Sequence, residues 1–121
     1  TDAELDIQIG RIYKQAGQPE ELKNRLKSVQ KRKDISLETQ MYIGQIYMNE
    51  FQDYDAAIEH YEKLYDEYPY IPDFLYTLVQ AYAKAERRSD AVELLEEWLG
   101  SHPNDSQAVD WLSILAPPPP Q

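Results

Sequence analysis

The sequence predicts an all-α protein built from pairs of helices repeated in tandem. Ile9-Gly10-x-x-Tyr13 returns 34 residues on as Ile43-Gly44-x-x-Tyr47, and 35 residues further as Leu78-Val79-x-x-Tyr82. Ala57, Tyr61, Leu64 and Pro69 recur 34 residues later as Ala91, Leu95, Trp98 and Pro103. A period of this size belongs to one supersecondary unit stacked several times. The apolar residues follow helical spacing nearly throughout, and no longer alternation suggests a strand.

The elements follow in order. Leu5, Ile9, Ile12 and Tyr13 mark one face of a first helix, broken by Gly17-Gln18-Pro19. Leu22, Leu26 and Val29 mark a second, ended by Asp34-Ile35-Ser36. Ser36, with Thr39 or Gln40 three or four residues later, is an N-cap signal for a third helix carrying Met41, Ile43, Ile46 and Tyr47. A turn near Gln52-Asp53 leads to a fourth, with Ala57, Ile58, Tyr61, Leu64 and Tyr65. Pro72 suits the first turn of a fifth helix, where its missing N–H removes no helical bond; Leu75, Leu78, Val79 and Tyr82 line it. Ser89 or Asp90 opens a sixth, with Val92, Leu95, Trp98 and Leu99, and Gly100 is read as its C-cap. Asn104 or Asp105 caps a seventh, bearing Val109, Trp111, Leu112 and Leu115. Pro117 to Pro120 stop it and form a short polyproline II spacer or terminator. Each helix pair alone leaves an apolar face that needs neighbours to bury it.

Composition bounds the rest. The 121 residues suffice for one domain, with 42% hydrophobic and 28% charged residues. Neither a membrane-spanning run nor a signal-peptide pattern occurs. With Thr1 standing inside the first repeat, the sequence is expected to be part of a longer protein. The absence of cysteine excludes thiol chemistry and disulfides, and leaves the compartment open between cytoplasm and periplasm. The net charge of −10 is divided unevenly: residues 1–35 hold eight Lys+Arg and six Asp+Glu, net +2, and residues 36–121 hold four and sixteen, net −12. The acidic bulk argues against nucleic acid and anionic lipid as partners. The basic stretch from Lys23 to Lys33 lacks interleaved aromatic residues and is read as a solvated face. The charge split itself favours head-to-tail self-association, or docking of repeats in a longer array.

These residues resemble the tetratricopeptide repeat, a 34-residue helix–turn–helix unit. The third repeat matches through Leu75, Leu78-Val79-x-x-Tyr82, Ala91-x-x-x-Leu95 and Pro103. The second matches through Ile43-Gly44-x-x-Tyr47, Ala57-x-x-x-Tyr61 and Pro69, with one extra residue in its turn. The first departs after Tyr13, with Leu22 at the small position and Asp34 for the proline. Val29, Leu64 and Trp98 replace the small residue that ends the second-helix pattern, which is expected to alter the angle between repeats.

The resemblance implies a right-handed α-solenoid of three repeats, residues 3–36, 37–71 and 72–105, with a closing helix over 105–116 and a proline-rich tail over 117–121. It implies a protein-interaction scaffold that binds a peptide or partner segment in a groove lined by the first helices. Ile7, Arg11, Lys14 and Gln15 would face the groove from the first repeat. Met41, Gln45, Met48 and Asn49 would face it from the second, and Tyr76, Gln80 and Lys84 from the third. Tyr76 is expected to act as an exposed anchor. Some members clamp the terminal carboxylate of a chaperone with basic residues; Ile7, Met41 and Asp73 do not reproduce that clamp. The alternatives are a structural spacer that associates through its repeat edges, and an accessory segment of an enzyme whose catalytic domain lies elsewhere.

No catalytic, cofactor or metal set is expected. His60 and His102 lie in different repeats, His60 on an exposed helix position and His102 in a loop. Asp53-Tyr-Asp55 lacks the glycine and closing glutamate of a calcium loop. Glu96-Glu97 and Asp66-Glu67 are sequence neighbours and point to different helix faces. The four glycines are too scattered for a phosphate loop.

Overall fold

The computed structural model describes residues 2–116. They form seven α-helices and, among the described residues, no strand: α1 (Asp2–Gln15), α2 (Pro19–Gln30), α3 (Leu37–Asn49), α4 (Tyr54–Glu67), α5 (Pro72–Lys84), α6 (Arg88–Ser101) and α7 (Ser106–Leu115). The architecture is an all-α helical repeat. The proline tail lies outside the described residues.

The helix ends follow from local chemistry. Pro19 and Pro72 occupy the first turns of α2 and α5. The Ser36 hydroxyl accepts from the Thr39 N–H at 3.1 Å, Asp53 from Ala56 at 3.2 Å and Asp105 from Ala108 at 3.1 Å, capping α3, α4 and α7. The turns within the helix pairs share one device. The carbonyl of the repeated tyrosine accepts from beyond the turn: Tyr13 from Gln18 at 2.9 Å, Tyr47 from Asp53 at 2.9 Å, Tyr82 from Arg87 at 2.8 Å. The middle turn spans one residue more, as its sequence requires. Just before each donor the chain enters the left-handed region, at Gly17 (φ 89°), Gln52 (φ 49°) and Glu86 (φ 61°). Only the first of these positions has the residue that adopts such a φ without strain.

Three boundaries differ from the sequence reading. α2 ends at Gln30, before Asp34. α6 opens at Arg88 rather than Ser89 or Asp90, and runs through Gly100 to Ser101, so Gly100 is an interior residue and not a cap. The Arg87 guanidinium meets the Asp90 carboxylate at 2.8 Å at that start.

The chain divides into two compact units, Thr1–Ile46 and Tyr47–Gln121. In the first, α1 packs on α2. Ala3, Ile7 and Gly10 form the buried stripe of α1, and Leu22, Leu26 and Val29 that of α2. Gly10 permits this approach: a Cβ there would lie 2.9 Å from Leu22 Cδ1 and 3.0 Å from Leu22 Cα. Asp6 joins the two helices by ion pairs to Arg25 at 3.1 Å and to Arg32. Leu5, Ile9, Ile12 and Tyr13, the face that the sequence marks most clearly, is not the core face: Leu5, Ile12 and Tyr13 are all exposed. The tyrosines therefore do not share one setting, because Tyr47 and Tyr82 are buried.

In the second unit α4 packs on α5, α5 on α6, and α6 on α7. Ala57 and Ala91 are fully enclosed, as their place in the repeat requires. Phe74, Leu75, Leu78, Val79 and Leu95 fill the core around them. Burial of each such side chain stabilises by roughly 1.5–3 kcal/mol. His60, read from sequence as exposed, is only 5% exposed, and its ring lies 5.9 Å from that of Tyr61.

Candidate functional site

The sequence-derived groove residues fall into two sets, one in each unit. In the first, Ile7 is fully buried on the inner stripe of α1. This corrects its assignment to a partner surface, since an isoleucine packed against α2 gains more than one left open. Arg11 donates from Nη1 to the Tyr42 hydroxyl of α3 at 2.5 Å, and its guanidinium carbon lies 5.8 Å from the centre of that ring. Lys14 and Met41 are half-buried beside exposed Gln15 and Gln45. The Arg11–Tyr42 pair thus ties together two first helices of the repeat. Sequence reasoning named Arg11 and missed Tyr42, which stands next to the expected Met41.

In the second unit, Met48 is half-buried and Asn49 exposed, the Asn49 carbonyl accepting from Gln52 at 2.9 Å. Gln80 and Lys84 are exposed on α5. Tyr76 is not an open anchor. Its hydroxyl donates to Asp105 Oδ2 at 2.5 Å, and its ring meets the edge of Trp111 at 5.3 Å. The same Asp105 oxygen accepts from the Trp98 indole at 2.9 Å, while Oδ1 caps α7. His102 stacks on Trp98 with ring centres 3.7 Å apart. The closing helix is therefore held by a carboxylate whose two oxygens serve three donors: one phenol, one indole and an amide at the start of its own helix.

Electrostatics agree with this wiring. The Tyr76 hydrogen bond, helped by Trp98 and the α7 backbone amides, holds the Asp105 carboxyl below its ordinary value of 3.8. Desolvation, then the bond to Asp105, pushes Tyr76 up to about 12. Burial, with Asp53 and Glu59 nearby, pushes Tyr47 up to about 12. Burial, then its 2.6 Å bond to Glu62, also raises Tyr82. Each shift favours the neutral phenol. Among the described residues no group of three or more His, Asp or Glu side chains is placed to hold a metal ion. Among the same residues no helix is long and apolar enough to cross a membrane.

Paired helices at a 34-residue beat, with long polar side chains on their first helices, define a repeat protein of the helix-hairpin class. The chain belongs to the tetratricopeptide repeat family, whose model matches residues 49–112, more than half of the 121 residues. Repeats of this family generally mediate protein–protein interaction and are typically non-catalytic. No curated protein matches the chain.

Proposed function

We propose that the chain is an interaction scaffold which holds a peptide or extended segment of a partner protein against the first helices of its repeats. The repeats are read as residues 3–36, 37–71 and 72–105, closed by the helix over 105–116. In the first unit the contact surface is Arg11, Lys14 and Gln15 with Met41 and Gln45; in the second it is Met48, Asn49, Gln80 and Lys84. The observation that carries this reading is the Arg11–Tyr42 pair. It holds a guanidinium and a phenol in a fixed arrangement before any ligand arrives, which lowers the entropy lost on binding. Arginine and tyrosine are also the residue types that most often dominate interface energetics.

Panning a random-peptide display library against the chain tests it. Selected peptides should lose about tenfold or more in affinity for Arg11→Ala, corresponding to about 1.4 kcal/mol or more. They should bind Lys27→Ala, altered on the exposed side of α2, unchanged. Peptides that ignore Arg11→Ala and require Lys27 would overturn the assignment.

A further inference from the structure

The junctions that lead into α3, α5 and α7 end on Ser36, Ile71 and Asp105. Ser36 and Asp105 cap their helices, each accepting from the amide three residues on. Ile71 makes no side-chain cap on α5. The residue before it is Tyr70, where the α6–α7 junction has Asn104, a common turn former. The α4–α5 junction thus forgoes local stabilising chemistry and displays apolar side chains instead. A local rule broken without a local gain points to a functional site.

The surface displayed there is ordered. Tyr70 is 72% exposed, between exposed Pro69 and half-buried Ile71, with exposed Pro72 following. Its ring meets that of Tyr68 edge-on, with centres 6.4 Å apart and planes at 79°. Tyr68 in turn lies 6.0 Å from Phe74, which is enclosed in the core. The three rings lead from core to solvent. The Tyr68 N–H donates to the Leu64 carbonyl at 2.8 Å, and the Ile71 N–H to the Tyr68 carbonyl at 3.2 Å. The two prolines fix their own φ. The ring pair is therefore held in place before any ligand arrives, which lowers the entropy lost on binding.

The charge around it has one sign. Between Lys63 and Lys84 the sequence carries Asp66, Glu67 and Asp73 and no lysine or arginine. All three carboxylates are exposed, and among the described residues none joins an ion pair. The charge of Glu67, then burial, raises the Tyr68 phenol, so the negative field reaches the rings.

We propose that the Tyr68–Tyr70 junction of the second unit docks one kind of partner: an extended, proline-rich protein segment that carries lysine or arginine. Flat pyrrolidine rings pack on aromatic side chains, and a polyproline II segment is ordered in advance and needs no strand edge to pair with. The carboxylates attract its cations, and a guanidinium can also lie over a tyrosine ring. The proline tail of this chain, Pro117 to Gln121, carries no cation and supplies only half of that chemistry.

The probe is a peptide of seven prolines with an arginine at each end. Titrated into the ¹⁵N-labelled chain, it should give saturable shifts at the amides of Glu67, Tyr68, Tyr70, Ile71 and Asp73. Tyr70→Ala, at an exposed position and so compatible with a well-dispersed spectrum, should raise Kd about tenfold. Asp66→Asn, Glu67→Gln and Asp73→Asn together should weaken binding several-fold and remove its salt dependence. Arg11→Ala should leave it unchanged, which separates this surface from the site proposed above. Absence of saturable shifts at millimolar peptide, or undiminished binding to Tyr70→Ala, would overturn the proposal. Equal binding of a peptide with serine in place of proline would also overturn it, since charge alone would then be read. So would tighter binding to a chain ending at Ala116, since the tail would then be the occupant.

Discussion

α1 and α5 are counterparts in the repeat, yet α5 is enclosed on the side where α1 is open. On α5 the Phe74–Leu78–Ala81 stripe lies under α4, and Leu75 and Val79 complete a second buried side. On α1 the inner stripe is Ala3–Ile7–Gly10, made of small residues around one isoleucine, while the larger Leu5 and Ile12 are exposed and Ile9 is half-buried. In a stacked repeat, apolar character at a position records a contact that the repeat is built to make. Whether the contact is made depends on the neighbouring unit.

The comparison can be broken by deletion. Phe74→Ala should cost about 3–5 kcal/mol in denaturant unfolding, whereas Leu5→Ala, its counterpart, should stay within about 0.5 kcal/mol. Similar losses at both would mean that α1 is covered after all. Converting α1 toward α5 should come next: Gly10→Val, matching Val79, should destabilise by about 3 kcal/mol, because the added atoms meet the Leu22 backbone. A neutral result by the same unfolding measurement would show that α1 and α2 can separate without loss.

Asp105→Asn should cost about 1–2 kcal/mol at neutral pH, through weaker bonds to Tyr76 and Trp98. The sign with pH is fixed by the direction of the shift. A carboxyl held below 3.8 in the fold stabilises fully above that value and loses its contribution as pH falls through the folded value. The gap between wild type and Asp105→Asn should therefore shrink on acidification below about pH 4; a gap that widened there would contradict the wiring. The smallest effect is expected at the turns. Glu86→Gly should stabilise by about 0.5–1 kcal/mol, since Glu86 holds the φ of 61° that glycine adopts at the counterpart position 17. Thermal melting would detect it as a rise of a few degrees, and a fall would remove strain as the explanation.

The helix order was legible because periodic tyrosines, prolines and capping residues act within a few residues of where they stand. Asp105, one of the two cap candidates, caps α7 through the amide three residues on, and Asp53, read only as part of a turn, caps α4 in the same way. What was not legible depends on partners distant in sequence. Tyr76 reads as an open anchor until Asp105, 29 residues away, takes its hydroxyl. His60 reads as exposed because it is polar, but it occupies an enclosed position of α4. Ile7 and the Leu5 stripe are both apolar, and spacing alone does not say which side of α1 has a neighbour. Gly100 reads as a cap because glycine often ends helices, yet α6 tolerates it in its last turn.

Hydroxyl-radical footprinting of the 121-residue chain tests the difference between α1 and α5 most directly. Leu5, Ile12 and Tyr13 should be modified readily, and Phe74, Leu78 and Tyr82 protected. Equal protection of the two sets would contradict the account.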